Sequence, residues 1–259
     1  MTVEPDFELT QREFDFVWAH LGLGPMPYPV DVPSNGETKE DRARLRDETF
    51  DVLRDKGVLH DERVQPALAD LLFVLAAPTV SVDTVGFLER PIRGIAAADR
   101  TQGVLVALAD DRLSFAAIRP TALAASIVEV LPAGEAGPGL AISLPHQAMR
   151  RAVDGDDDDP FGGGEERDVL VANGVSEDDA STVIELAERR VGGGQFGITT
   201  TGRASRIGPG SRVRATTMVT WFDTNEGRYL MVHDGAWVSV APADGGRIAN
   251  RIDVLLQTA

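Results

Sequence analysis

Apolar residues recur along this chain with two different periods, and the change of period separates helical from extended stretches. Thr10-Gln-Arg-Glu13 has the spacing of a capping box, and Phe14, Val17, Trp18 and Leu21 follow at helical intervals. A first helix is predicted over residues 10–21. Gly22-Leu-Gly-Pro-Met-Pro-Tyr-Pro29 ends it, since three prolines within five residues favour a rigid, extended connector. Residues 38–56 (Leu45, Phe50, Leu53) and 61–76 (Val64, Leu68, Leu71, Leu72, Leu75) read as two further helices, stopped at Gly57 and Pro78.

From Thr79 the period becomes two. Val80, Val82, Val85 and Phe87 mark a half-buried strand, and Ile92–Ala98, Gly103–Ala109 and Arg112–Ile118 continue as strands with turns at Asp99–Gly103 and Asp110-Asp111. A helix is predicted from Pro120 to about Leu131, then an apolar segment Leu140–Leu144 and a short helix at 145–153. Helices at 165–172 and 176–190 follow, then strands Gln195–Thr200 and Val213–Phe222, a second Asp/Gly-turned meander to Ala241 and a last helix at 244–257. The glycines of Gly192-Gly-Gly-Gln-Phe-Gly197 read as a flexible helix-to-strand joint.

Shifting the chain by 124 positions aligns the two meanders without a gap: Asp99 falls on Asp223, Gly103 on Gly227 and Asp110 on Asp234. Each half then reads helix, strand, long connection, three-strand meander, helix. Two such halves would hide their half-exposed sheet faces by joining, which predicts an α+β, quasi-two-fold single domain. The boundary is placed at the acidic Gly/Asp stretch 154–164, with residues 1–153 as the N-terminal half and 165–259 as the C-terminal half.

Composition narrows the function. A net charge of −16 opposes the cationic surface that nucleic acids or an anionic membrane require. There is no cysteine, so thiolate chemistry and disulfides are excluded. The acidic N-terminus lacks a signal-peptide pattern, and no apolar run is long enough to span a bilayer, so a cytoplasmic location is expected.

No catalytic constellation stands out. His20, His60, His146 and His233 lie far apart in sequence and none forms a helical metal pair. The glycine run lacks the Gly-Lys-Ser/Thr ending of a phosphate loop. Asp154, Asp156, Asp158 and Glu165 have calcium-loop spacing, but Asp159 and Pro160 stand where the loop must turn, so an acidic linker is the plainer reading. Asp223 and Glu226 could pair for acid–base work, yet their place favours a turn role. Arg203, Arg206, Arg212 and Arg214 form the one dense basic cluster and suit a contact loop for a polar or acidic surface.

Trp18 followed by Gly22–Pro29, then Gly194-Gln-Phe-Gly197, then an Arg-rich connection into Trp221-Phe-Asp-Thr-Asn-Glu-Gly-Arg-Tyr229 resembles the EspG family of type VII (ESX) secretion-associated proteins, in the same order over most of the chain. The resemblance implies a central, mostly antiparallel sheet with flanking helices. It also implies a non-enzymatic cytosolic chaperone, without cofactor, that binds the helical tip of PE–PPE heterodimers through the central sheet and adjoining C-terminal helices. The expected contact residues are Phe196, Ile198, Val219 and Trp221 as an apolar centre, with Arg203, Arg206, Arg212 and Arg214 at the rim. The rival expectation is a sheet-based scaffold or adaptor acting as a homodimer; a hydrolase would need a pocket that nothing in the sequence marks.

Overall fold

The computed structural model describes residues 4–153, 165–202 and 211–258. The Thr10 hydroxyl accepts from the Glu13 backbone N–H at 3.2 Å, and the Glu13 carboxylate accepts from the Thr10 N–H at 2.8 Å. This capping box turns strand β1 (Phe7–Thr10) directly into α1 (Gln11–His20). Thr38 caps α2 (Lys39–Asp55) through its hydroxyl, which accepts from the Asp41 N–H at 3.0 Å, while the Asp41 carboxylate accepts from the Glu37 N–H. The helix expected from residue 61 begins later. Asp61 and Glu62 adopt left-handed backbone angles and turn a small hairpin, β2 (Leu59–His60) and β3 (Arg63–Val64), so that Pro66 opens α3 (Pro66–Ala76).

The period-two region folds where the pattern places it: β4 (Val80–Phe87), β5 (Pro91–Ala98), β6 (Gly103–Ala109) and β7 (Arg112–Ile118). A short 3-10 turn and α4 (Leu123–Val128) follow. The C-terminal part runs β8 (Ile142–Pro145), α5 (His146–Val153), α6 (Glu165–Ala172) and α7 (Glu177–Glu188). Then come β9 (Arg190–Thr201), β10 (Arg212–Arg214), β11 (Val219–Thr224), β12 (Gly227–Asp234), β13 (Trp237–Pro242) and α8 (Gly245–Leu256). The acidic stretch with its calcium-like spacing at Asp154, Asp156 and Asp158 lies outside the described residues.

Among the described residues one sheet of eleven strands joins both halves in the order β1-β7-β6-β5-β4-β9-β11-β12-β13-β8, with β10 on β9. All of its strand pairs are antiparallel. The sequence reading therefore holds for an α+β architecture built on a central antiparallel sheet. Three of its details change. The glycines 192–194 are not a joint but part of β9, held between β4 and β11. The C-terminal half also starts before the acidic stretch: β8 pairs with β13, and α5 packs on α6 and β13.

The third change concerns the offset. The rung Ala98↔Gly103 of the first hairpin corresponds to Asp223↔Arg228 of the second, and Ala109↔Arg112 corresponds to Asp234↔Trp237, each 125 positions on. The buried Leu123 and Ile127 of α4 likewise correspond to Ile248 and Ile252 of α8. An offset of 124 matches turn letters but slips the strands by one residue, which would send every side chain to the wrong face.

Alternation sorts the core into three clusters. On one face of the sheet, α1, α2 and α3 pack over β5, β6 and β7 through residues such as Phe14, Leu72, Val106 and Phe115. The helices α5, α6 and α7 cover Phe222, Tyr229, Val238 and Val240 at the far end. On the opposite face α4 and α8 lie together across the middle and cover Val82, Ala96, Phe196, Ile198, Val219 and Trp221.

Candidate partner-binding face

The four apolar residues expected to meet a partner are core. Phe196, Ile198, Val219 and Trp221 are between 0% and 2% exposed, beneath α4 and α8. Register is the reason: Val82 pairs with Ile198 and Val219 with Phe196, so all share the face that carries those helices. The Trp221 indole lies over a glycine platform. A Cβ at Gly86 would come within 3.0 Å of its ring, and Gly194 is its cross-strand partner on β9. A guanidinium covers the indole from Arg228, 5.1 Å from the ring centroid, and binds Asp223 through two hydrogen bonds of 2.7 and 2.8 Å. Asp223 is thus an ion-pair partner within β11, whereas Asp99 keeps the turn role, its Oδ1 accepting from the Thr101 and Gln102 N–H groups. Glu226 pairs with Arg189 at 2.7 Å, so the two carboxylates serve different partners.

The other face is where the sheet is open. Neither helical cluster on that face takes in a residue of β4 or β9. Ser81, Asp83, Val85 and Phe87 of β4 alternate onto it, with Gln195, Gly197 and Thr199 of β9, Thr220 of β11 and Met231 of β12. Val85, Gln195, Thr199, Thr220 and Met231 are half-buried, while their neighbours Phe196, Ile198, Val219 and Trp221 on the helix-covered face are fully buried. Phe87, at the end of β4, is 57% exposed. The result is a strip of sheet between two helical lobes. At one side Tyr28, Pro29, Val85 and Arg93 line a cavity of about 330 Å³, with the Tyr28 ring exposed.

The basic cluster divides. Arg214 binds Asp83 of β4 through two hydrogen bonds of 2.7 and 2.9 Å, and Arg212 donates to the Ala76 carbonyl at the C-terminus of α3 at 3.1 Å. Both fasten β10 to the N-terminal half at the edge of the open strip. Arg203 and Arg206 lie outside the described residues. Nothing in the sequence pairs two of the distant histidines, but His146 and His233 have ring centroids 4.0 Å apart, because His146 directly follows β8, and β8 and β12 both flank β13. Among the described residues no three His, Asp or Glu side chains converge as a metal would require. No described helix is long and apolar enough to cross a membrane.

An all-antiparallel sheet with one central helix pair and an open strip between two lobes defines a protein built to present a surface. The EspG family model matches residues 10–254, and the chain belongs to that family. Among solved structures it is similar to the Mycobacterium tuberculosis type VII secretion system chaperone EspG5, in a complex with the PE25-PPE41 dimer. The identity is 14%, the match covers 97% of this chain and 96% of that one, and the TM-score is 0.75. No curated protein sequence matches the chain.

Proposed function

We propose that this chain is a non-enzymatic, cytosolic chaperone of type VII secretion that holds the helical tip of a PE–PPE heterodimer against the open strip of its central sheet. Family membership and a fold shared with a chaperone that carries such a dimer support the reading. The single observation that carries it is the strip itself. Half-buried side chains of β4, β9 and β11 lie between two helical lobes, and neither lobe's core takes in a residue of β4 or β9 among the described residues. Such a channel suits the end of an elongated helical bundle. Arg212 and Arg214 of β10 lie at the edge of this strip and would border the client, and in this proposal Arg203 and Arg206 join them in that contact. Phe196, Ile198, Val219 and Trp221 have a different part in this proposal: as core they hold α4 and α8 to the opposite face of the sheet.

Co-expression with the PE–PPE pairs of its own genome tests this. The expected result is a soluble complex of one chaperone per heterodimer by light scattering, with Val85, Gln195, Thr220 and Met231 protected from hydrogen exchange. A stable homodimer that protects the same residues and takes up no PE–PPE pair would support the scaffold reading instead.

A further inference from the structure

We propose that Arg214 is the point at which this face reads its client, and that it takes a carboxylate from an acidic side chain of the client's helical tip. The inference rests on the chaperone reading above and adds the chemistry of the contact.

The register Arg214↔Thr199 puts Arg214 on the open face, two strands away from Asp83 on β4. Between them runs β9, and the residue of β9 opposite Asp83 is Gly197. A methyl group at Gly197 would overlap the guanidinium. The arginine therefore reaches Asp83 by lying flat on bare backbone. Its two terminal nitrogens bond the two Asp83 oxygens, and Asp83 is buried with only 6% of its side chain exposed. The bond to Asp83 raises the Arg214 pKa further above its ordinary value, so the group is always charged.

Arg214 itself is 44% exposed, and its Nε–H has no hydrogen-bond partner among the described residues. A guanidinium has five N–H donors in a fixed plane, and Asp83 occupies only one side of that plane. In the free protein water serves the other side. A client seated on the strip displaces that water, and donors left unpaired under an interface carry a large desolvation penalty. A carboxylate meets the requirement best, because it accepts from a planar fork through two charge-assisted bonds. Tyr28, 61% exposed, lines the cavity at the side of the strip with Val85 and Arg93. Arginine and exposed tyrosine are residue types enriched at interface hot spots. On a chain of net charge −16, a cation held in a fixed plane on this face favours one register of docking for a client carboxylate.

The test is the affinity of the full chain for a purified PE–PPE heterodimer, measured by calorimetry. Arg214→Ala is expected to weaken binding about 10- to 100-fold, as for loss of a charged hydrogen-bond pair. Arg214→Lys keeps the charge but loses the fork, and Gly197→Ala keeps both charges but displaces the guanidinium; both are expected to weaken binding while the circular dichroism spectrum stays that of the folded chain, with a lowered melting temperature because buried Asp83 loses its paired partner. Neutralising one acidic residue of the client tip, Asp→Asn or Glu→Gln, should weaken binding to the wild type and leave binding to the Arg214→Ala variant unchanged. Unaltered affinity in folded Arg214→Lys and Gly197→Ala overturns this inference and leaves the chaperone reading standing. No complex between the wild type and any PE–PPE pair overturns the chaperone reading, and this one with it.

Discussion

Thr84 and Phe196 face each other on the two central strands, and the strand order reads alike in both directions from that rung. Outward from Thr84 run β5, β6, β7 and β1; outward from Phe196 run β11, β12, β13 and β8. The strip proposed to hold a client lies beneath this rung on the open face, and α4 and α8 lie above it. Substitutions near the rung therefore separate by face: one face affects folding and the other affects binding.

On the folding side, Trp221→Ala removes a fully buried indole from beneath α8. A loss of about 3–5 kcal/mol is expected from large-to-small core substitution. Chemical denaturation measures it, and client affinity per folded molecule should stay close to that of the wild type.

The Arg228–Asp223 pair is expected to behave as a buried ion pair. Arg228 is 2% exposed and stacks on Trp221. Arg228→Ala leaves a partly buried carboxylate without its partner and opens a gap above the indole. A cost of about 3–5 kcal/mol follows, whereas Arg228→Met, which keeps the packing but not the charge, should cost less when paired with Asp223→Leu. Equilibrium unfolding of the single and double variants checks the order.

Gly194→Ala should destabilise the chain far more than an exposed strand glycine would suggest. A Cβ there would press on the Val85 carbonyl and the Gly86 backbone, which cannot swing aside as a flexible side chain can. A fall in melting temperature, or loss of soluble protein, is the expected outcome. Gly202→Ala, where the nearest atom would be 3.7 Å away, is the control.

Asp15 predicts a pH dependence. Burial by itself would raise its carboxyl pKa, but hydrogen bonds from Arg42 and from the Asn35 backbone and side chain outweigh this and hold it below the ordinary 3.8. A carboxylate with a depressed folded-state pKa stabilises the fold above its unfolded value and loses that contribution as the pH falls through the folded one. Asp15→Asn should therefore be less stable than the wild type at neutral pH. The difference should shrink on acidification below about pH 4, as followed by urea denaturation across pH.

Much of the fold was legible in the sequence, because periodicity reports local geometry. The capping box at Thr10–Glu13, the strands β4 to β7 and the helix after Asp244 stand within a residue or two of their predicted places. Short strands at the sheet edge were missed: β1 and β8 have four residues each, too few to establish a period of two. The glycines of β9 misled for a similar reason. Glycine ordinarily weakens a strand, and only the neighbouring Trp221 and the close Val85 backbone explain its presence.

The sequence by itself determined that this is an α+β chain, with an acidic composition unsuited to nucleic acid and the family's ordered aromatic and glycine segments. Only the tertiary structure decided which side of the sheet faces outward. Apolar alternation marks two faces of a strand but not which one a helix will cover, and a slip from 125 to 124 exchanges them. For that reason Phe196 and Trp221, the aromatics most suggestive of a contact, lie in the core. Asp83, Gly197 and Arg214, unremarkable in the sequence and far apart along it, meet on the open side.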